Sequence, residues 1–116
     1  MKRDDDYLRH LLLKVEASAK EHLVLPEYHP MPVGYARKLH HARLACDAGL
    51  FREVAEGEYR LTSQGYDFLA VVRDDDAWGE AKGLAELLGG VPLGTLRDLA
   101  LDAHHRNVMA LAGVSA

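Results

Sequence analysis

The sequence predicts a mainly α protein with a small β-hairpin wing (α+β). The expected arrangement is a winged helix-turn-helix followed by additional C-terminal helices. Three observations carry this. Residues 33–48 read as a helix closed by Gly49, a natural left-handed terminator. Two short runs, 50–54 and 59–61, flank the charged stretch Ala55-Glu56-Gly57-Glu58, which signals a hairpin. Thr62 then stands where it can cap a following helix.

Asp4, Asp5 and Asp6 supply a cap and favourable charge for a first helix over 4–20. Leu8, Leu11, Leu12, Val15 and Ala19 recur at helical spacing and form its apolar stripe. Residues 22–34 hold Pro26, Pro30 and Pro32, which remove donors and discourage helix. Leu23-Val24-Leu25 reads as a short strand able to join the wing sheet. A helix-turn-helix places a helix before its recognition helix. Here there is room for one turn near Pro32, or for a loop in its place.

At 100° per residue, Tyr35, Leu39, Ala42, Cys46 and Gly49 share one face of the 33–48 helix. The small Ala42 and Ala45 suit close packing on the first helix. Arg37, His40, His41 and Leu44 fall opposite, with Lys38 and Arg43 flanking. Leu44 is apolar on an outward face, so it packs under the wing or the phase is off by one residue. Beyond Thr62, Tyr66, Leu69 and Val72 form a stripe joined by Phe68. Arg73-Asp74-Asp75-Asp76 interrupts the pattern, and Asp75 or Asp76 caps a helix through Trp78, Ala81, Ala85 and Leu88. Gly89-Gly90 ends that helix, and Pro92 suits the start of the last. The last helix carries two stripes: Leu93, Leu96, Ala100 and Ala103, then Leu101, His104, Val108 and Leu111. The expected organisation is a winged-helix domain over 1–88, and a C-terminal helix over 89–116 that packs on it or on a second subunit.

Charge sets the function classes. The chain has net charge −4. Residues 35–52 are basic through Arg37, Lys38, Arg43 and Arg52 against Asp47 alone, whereas 53–90 are strongly acidic. An acidic whole repels nucleic acid at long range, so the basic segment is where a phosphate backbone would be welcome. The tip Glu56-Gly57-Glu58 would repel phosphate. No stretch approaches 18 apolar residues, so no membrane span is expected. The start lacks the apolar core of a signal peptide. The only cysteine, Cys46, reads as a buried small hydrophobe with no internal disulfide partner. These features fit the cytoplasm.

From Met1-Lys2-Arg3-Asp4 through Leu93, the order of landmarks resembles a bacterial and phage family catalogued as domain of unknown function 2513. The matching pieces include that start, His41 with Leu44, Asp47-Ala48-Gly49-Leu50, Arg60-Leu61-Thr62 and Gly65-Tyr66-Asp67-Phe68-Leu69. Arg73-Asp74-Asp75, Trp78 and Gly89-Gly90-Val91 follow. The chain departs from the pattern at Ala42 and Ala45, where larger aliphatics are usual, and in the Pro-rich 26–32 segment. The resemblance implies no activity, so it transfers no catalytic residue. Winged-helix regulators of several families resemble the Ala48-Gly49-Leu50 helix exit, which bears on the fold rather than on a role.

No Gly-rich phosphate loop, nucleophile elbow or paired-Cys metal spacing is present. His40-His41 and His104-His105 are adjacent pairs whose side chains diverge by about 100° on a helix, so they read as surface histidines rather than metal ligands. Ser63, Ser115 and Cys46 lack a recognisable base. The expectation is no enzyme, no cofactor and no metal. Two functions remain. One is DNA binding, with 33–48 as recognition helix on double-stranded DNA. Its contacts would be Arg37, Lys38, His40, His41 and Arg43, with Arg52 and Arg60 from the wing. Three or four phosphate contacts give a salt slope of only about −3 to −4, so a homodimer would be needed. The alternative is a protein–protein interaction module using the acidic wing and the C-terminal helix. A basic stripe along 33–48 would favour DNA; an exposed apolar patch near Leu44 or Val108 would favour a protein partner.

Overall fold

The computed structural model describes residues 1–113. Residues 114–116, the end of the expected 89–116 segment and the place of Ser115, lie outside the described residues. The fold is mainly helical with a small three-stranded antiparallel sheet, as the sequence predicts. The chain divides into two compact units, Met1–Leu69 and Ala70–Ala116. The sequence places its limit at 88/89, which falls inside the second unit.

The first unit opens with α1 (Asp5–Ala17). The Tyr7 N–H donates to the Asp4 carboxylate at 3.0 Å, so Asp4 caps the helix. Leu8, Leu11, Leu12 and Val15 are buried on the expected stripe. The helix stops at Ser18, whose backbone is extended, so Ala19 lies outside it and is exposed.

The expected short strand exists as β1 (His22–Val24) and joins the wing sheet. It pairs with β3 (Glu58–Leu61), which also pairs with β2 (Phe51–Ala55), giving the order β1-β3-β2. The Leu25 N–H donates to the Gly57 carbonyl at 2.6 Å, tying the hairpin tip to the segment after β1. Gly57 has φ +71°, and a Cβ there would lie 2.7 Å from the Leu25 oxygen, so only glycine fits.

Residues 25–34 form a loop with no helix. Of the two sequence alternatives, the loop is what the prolines produce. The Tyr35 hydroxyl donates to the Pro26 carbonyl, and the Tyr28 ring meets Tyr35 edge-on at 5.2 Å. These contacts hold the loop against the start of α2 (Tyr35–Asp47). On α2, Leu39, His41, Ala42 and Ala45 are buried, while Cys46 and Leu44 are half-buried. The buried face is therefore turned by about one residue from the stripe centred on Tyr35, Leu39 and Cys46.

The exit of α2 and the entry of α3 (Ser63–Val72) form one knot. Gly49, at φ +76°, ends α2. The Thr62 N–H donates to the Leu50 carbonyl at 3.0 Å, and the Thr62 hydroxyl donates to the Gly49 carbonyl. The same hydroxyl accepts the Gly65 N–H at 3.0 Å, which is the predicted cap. A Cβ on Gly65 would lie 2.3 Å from the Leu50 oxygen, so α3 can approach this closely only through glycine. Phe68, Leu69 and Val72 are buried as expected, but Tyr66 is exposed because Gly65 takes the inward position.

In the second unit, α4 (Asp75–Leu87) and α5 (Leu93–Leu111) pack as a helical hairpin. Ala77, Trp78, Ala81 and Ala85 on α4, and Leu96, Ala100 and Ala103 on α5, are the buried positions. Leu88, predicted on the inner stripe, is exposed just past the helix end. The cap of α4 is Asp74, not Asp75 or Asp76, because Asp74 alone of the three has extended backbone. Its carboxylate accepts from the Ala77 N–H at 3.1 Å, from Asn107 at 3.0 Å and from His104 Nδ1 at 3.2 Å. His104 is thus half-buried in a clasp between helices rather than a surface histidine. Arg106 pairs with Glu80 across the same hairpin. On α5's other stripe Val108 and Leu111 are exposed.

Candidate interaction surface

The predicted nucleic-acid contacts scatter over the first unit. Arg37 is exposed, pairs with the Asp4 carboxylate and lies over the Tyr7 ring at 4.2 Å. Lys38 is half-buried and borders a small hollow with Lys14 and His22, on the α1 and β1 side. His40 is half-buried, its ring edge-on to His41 at 5.5 Å. Arg43 is exposed and donates to Glu27 at 3.3 Å. Arg52 and Arg60 are direct cross-strand partners, and His22 is the partner of Arg60 on its other side. Directly opposed residues share a sheet face, so these three cationic or ionisable side chains form a row.

His41 requires a correction. It is fully buried, and it cannot reach a base or a phosphate. Its Nε2 accepts the Asp4 N–H at 2.9 Å and its Nδ1–H donates to the Arg37 carbonyl at 2.8 Å. Those partners fix the neutral tautomer with the proton on Nδ1. The imidazole lies against the Tyr7 ring at 4.7 Å and bonds a backbone group at the start of α1 and one on α2. The sequence held a signal for this: a polar residue set among Leu39, Ala42 and Ala45 on one helical arc.

Asp4 and Glu27 are the residues of this candidate surface whose pairing sequence reasoning missed. Asp4 is 33 residues from Arg37 and Glu27 is 16 from Arg43, and no local pattern couples them. The Asp4 carboxyl is held below its ordinary range, first by the Tyr7 N–H, against opposing burial, and then by Arg37.

Between α2, the hairpin and the 25–27 loop lies an open groove of about 990 Å³. Leu39, Phe51 and Tyr59 contribute to its floor, with the two rings 6.3 Å apart. Its charged rim is Glu27, Arg43, Asp47, Arg52, Glu53 and Glu56. Setting aside the Arg43–Glu27 pair, three carboxylates face one guanidinium. The side chains of Asp47 and Glu56 make no hydrogen bond or ion pair among the described residues. The Tyr59 hydroxyl is pushed up by burial and then by Glu53; the Cys46 thiol is pushed up by burial and then by Glu53 and Asp47. Among the described residues, no group of three His, Cys, Asp or Glu could hold a metal ion, and no helix is long and apolar enough to cross a membrane.

These features define a small α+β domain of helix, strand, helix and hairpin, extended by a helical hairpin. The family model described as "Hypothetical protein (DUF2513)" matches residues 2–91, and the chain belongs to that family. No curated protein and no solved structure matches the chain. The residues that carried the resemblance now have structural roles. Asp4 and His41 join α1 to α2; Gly49, Leu50, Thr62 and Gly65 form the α2–α3 knot; Asp74 clasps α5.

Proposed function

We propose that the chain is a non-enzymatic protein-interaction domain on a winged-helix scaffold. The order α1-β1-α2-β2-β3 with strands arranged β1-β3-β2 supports the scaffold. Scaffold alone gives no function. The observation that carries the role is the state of α2's arginines. Arg37 and Arg43 are each held by a carboxylate, and the exposed Asp47 lies on the same helix. Two of the three cations in the α2 stripe that would favour DNA are paired in place, beside an acidic groove and an acidic hairpin tip. The domain would work in the cytoplasm, where Cys46 stays a free thiol. A homodimer would form through the outward stripe of α5 at Val108 and Leu111. Sedimentation of wild type beside Val108→Asp tests that contact.

DNA binding is the second reading, favoured by the Arg52–Arg60–His22 row. Exposed ion pairs are worth only about 0–1 kcal/mol, so phosphate could displace Asp4 and Glu27. Its contact set would be Arg37, Lys38, His40, Arg43, Arg52 and Arg60, without His41. The deciding experiment is anisotropy on a mixed-sequence duplex from about 50 to 200 mM salt, with wild type and Arg37→Ala/Arg43→Ala. The proposal expects no binding even at the lowest salt. Steeply salt-dependent binding that the double variant loses would overturn it.

A further inference from the structure

We infer that the groove between α2, the hairpin and the 25–27 loop receives an extended segment of a protein partner that carries lysine or arginine beside an apolar side chain. The inference rests on the proposed protein-interaction role and names the chemistry of the partner.

The groove exists because of a departure from the helix-turn-helix pattern. Where a helix would precede α2, the chain runs as a loop, and Pro26 and Glu27 become a wall of the groove. That wall is fixed in advance. The Tyr35 hydroxyl holds the Pro26 carbonyl, and the Leu25 N–H holds the Gly57 carbonyl of the hairpin tip. A preformed site spares an incoming segment the cost of ordering its walls. The floor is apolar and aromatic, which suits a branched or aliphatic side chain. The rim is asymmetric: the side chains of Asp47 and Glu56 have no hydrogen-bond or ion-pair partner among the described residues, burial and then Glu53 hold the Tyr59 hydroxyl in its neutral form, and Arg52 is the single opposing charge outside the Arg43–Glu27 pair. Opposite charge across a partly enclosed surface selects partners, so an acidic segment is rejected and a basic one retained.

The test uses the full ¹⁵N-labelled chain and three synthetic peptides: Gly-Lys-Leu-Lys-Gly, Gly-Glu-Leu-Glu-Gly and Gly-Lys-Ser-Lys-Gly. The lysine–leucine peptide should shift the amides of Cys46, Glu53, Gly57 and Tyr59 saturably. The glutamate peptide should not, and the serine peptide should bind more weakly. Asp47→Asn/Glu56→Gln removes charge from two side chains that hold nothing else, so its spectrum should otherwise match wild type. Its Kd should rise about tenfold, the scale of two exposed charge contacts. No saturable shift at millimolar peptide, equal binding of the glutamate peptide, or shifts confined to other residues would each overturn the inference. DNA binding that needs Arg37 and Arg43, together with peptide shifts here, would reject the proposed role and keep this site. Absence of both DNA binding and peptide shifts would keep the role and reject the site.

Discussion

Asp4 and Asp74 each cap a helix with one carboxylate oxygen, and each is bonded to a histidine from another helix. The polarity differs. At Asp4 the backbone N–H is the donor and the buried His41 is the acceptor; the carboxylate goes outward to Arg37. At Asp74 the carboxylate itself is the acceptor, and His104 and Asn107 donate to it. In the first unit, then, the ring is indispensable and the acid dispensable. In the second unit the reverse holds. The same two residue types do opposite jobs because one histidine is sealed and the other is half-exposed.

The largest effect should come from His41→Ala. It strands the Asp4 N–H, removes a bond to the Arg37 carbonyl and leaves a cavity, at a cost of about 3 to 5 kcal/mol. Native-state hydrogen exchange locates the loss. Amides of α1 and α2 should lose about 100-fold protection or more, while those of α4 and α5 keep theirs. Equal loss in both units would break the comparison.

Asp74→Ala comes next. Losing the cap costs about 1 kcal/mol, and losing the two donors' acceptor brings the total to about 2 kcal/mol. The loss should appear in α4 and α5. Asp74→Ser restores a cap but not the clasp, so it should recover about half; full recovery would mean that the clasp contributes nothing.

Much of this fold was readable because short-range chemistry decided it. Gly49, Thr62 and the apolar stripe of α1 act within one turn of themselves, and they behave as read except at Ala19, which lies past the helix end. The α2 phase was misjudged because helical patterning treats histidine as polar, while His41 is a core residue that bonds two backbones. Asp74 lost to Asp75 and Asp76 in the reading because three consecutive aspartates offer three cap registers, and only backbone conformation chooses among them. The interaction surface was the least legible part. Arg37 and Arg43 read as free cations because Asp4 and Glu27 come from distant segments, and the groove depends on a loop whose path no local periodicity encodes.

Acid should sharpen the contrast further. The Asp74 carboxyl is held at about 2, below its ordinary 3.8, first by Asn107, then by the Ala77 N–H and His104. A depressed pKa stabilises the fold above the ordinary value, and the contribution is lost as pH falls from about 4 toward 2. Asp74→Asn should therefore be less stable than wild type at pH 5 and converge with it near pH 2, in urea titrations followed by α4 and α5 amides. A gap that stays constant over that range would remove the carboxylate's charge from the account.

The smallest effect should be Asp4→Asn. Asparagine caps as well as aspartate, and the backbone N–H that His41 accepts is untouched by the substitution. What disappears is the charge of an exposed pair with Arg37, worth no more than about 1 kcal/mol, while the guanidinium keeps its place over Tyr7. Protection of α1 and α2 should fall by less than about fivefold. A loss as large as that of His41→Ala would mean that the carboxylate, not the ring, holds the first unit, and the two aspartates would then be doing the same work.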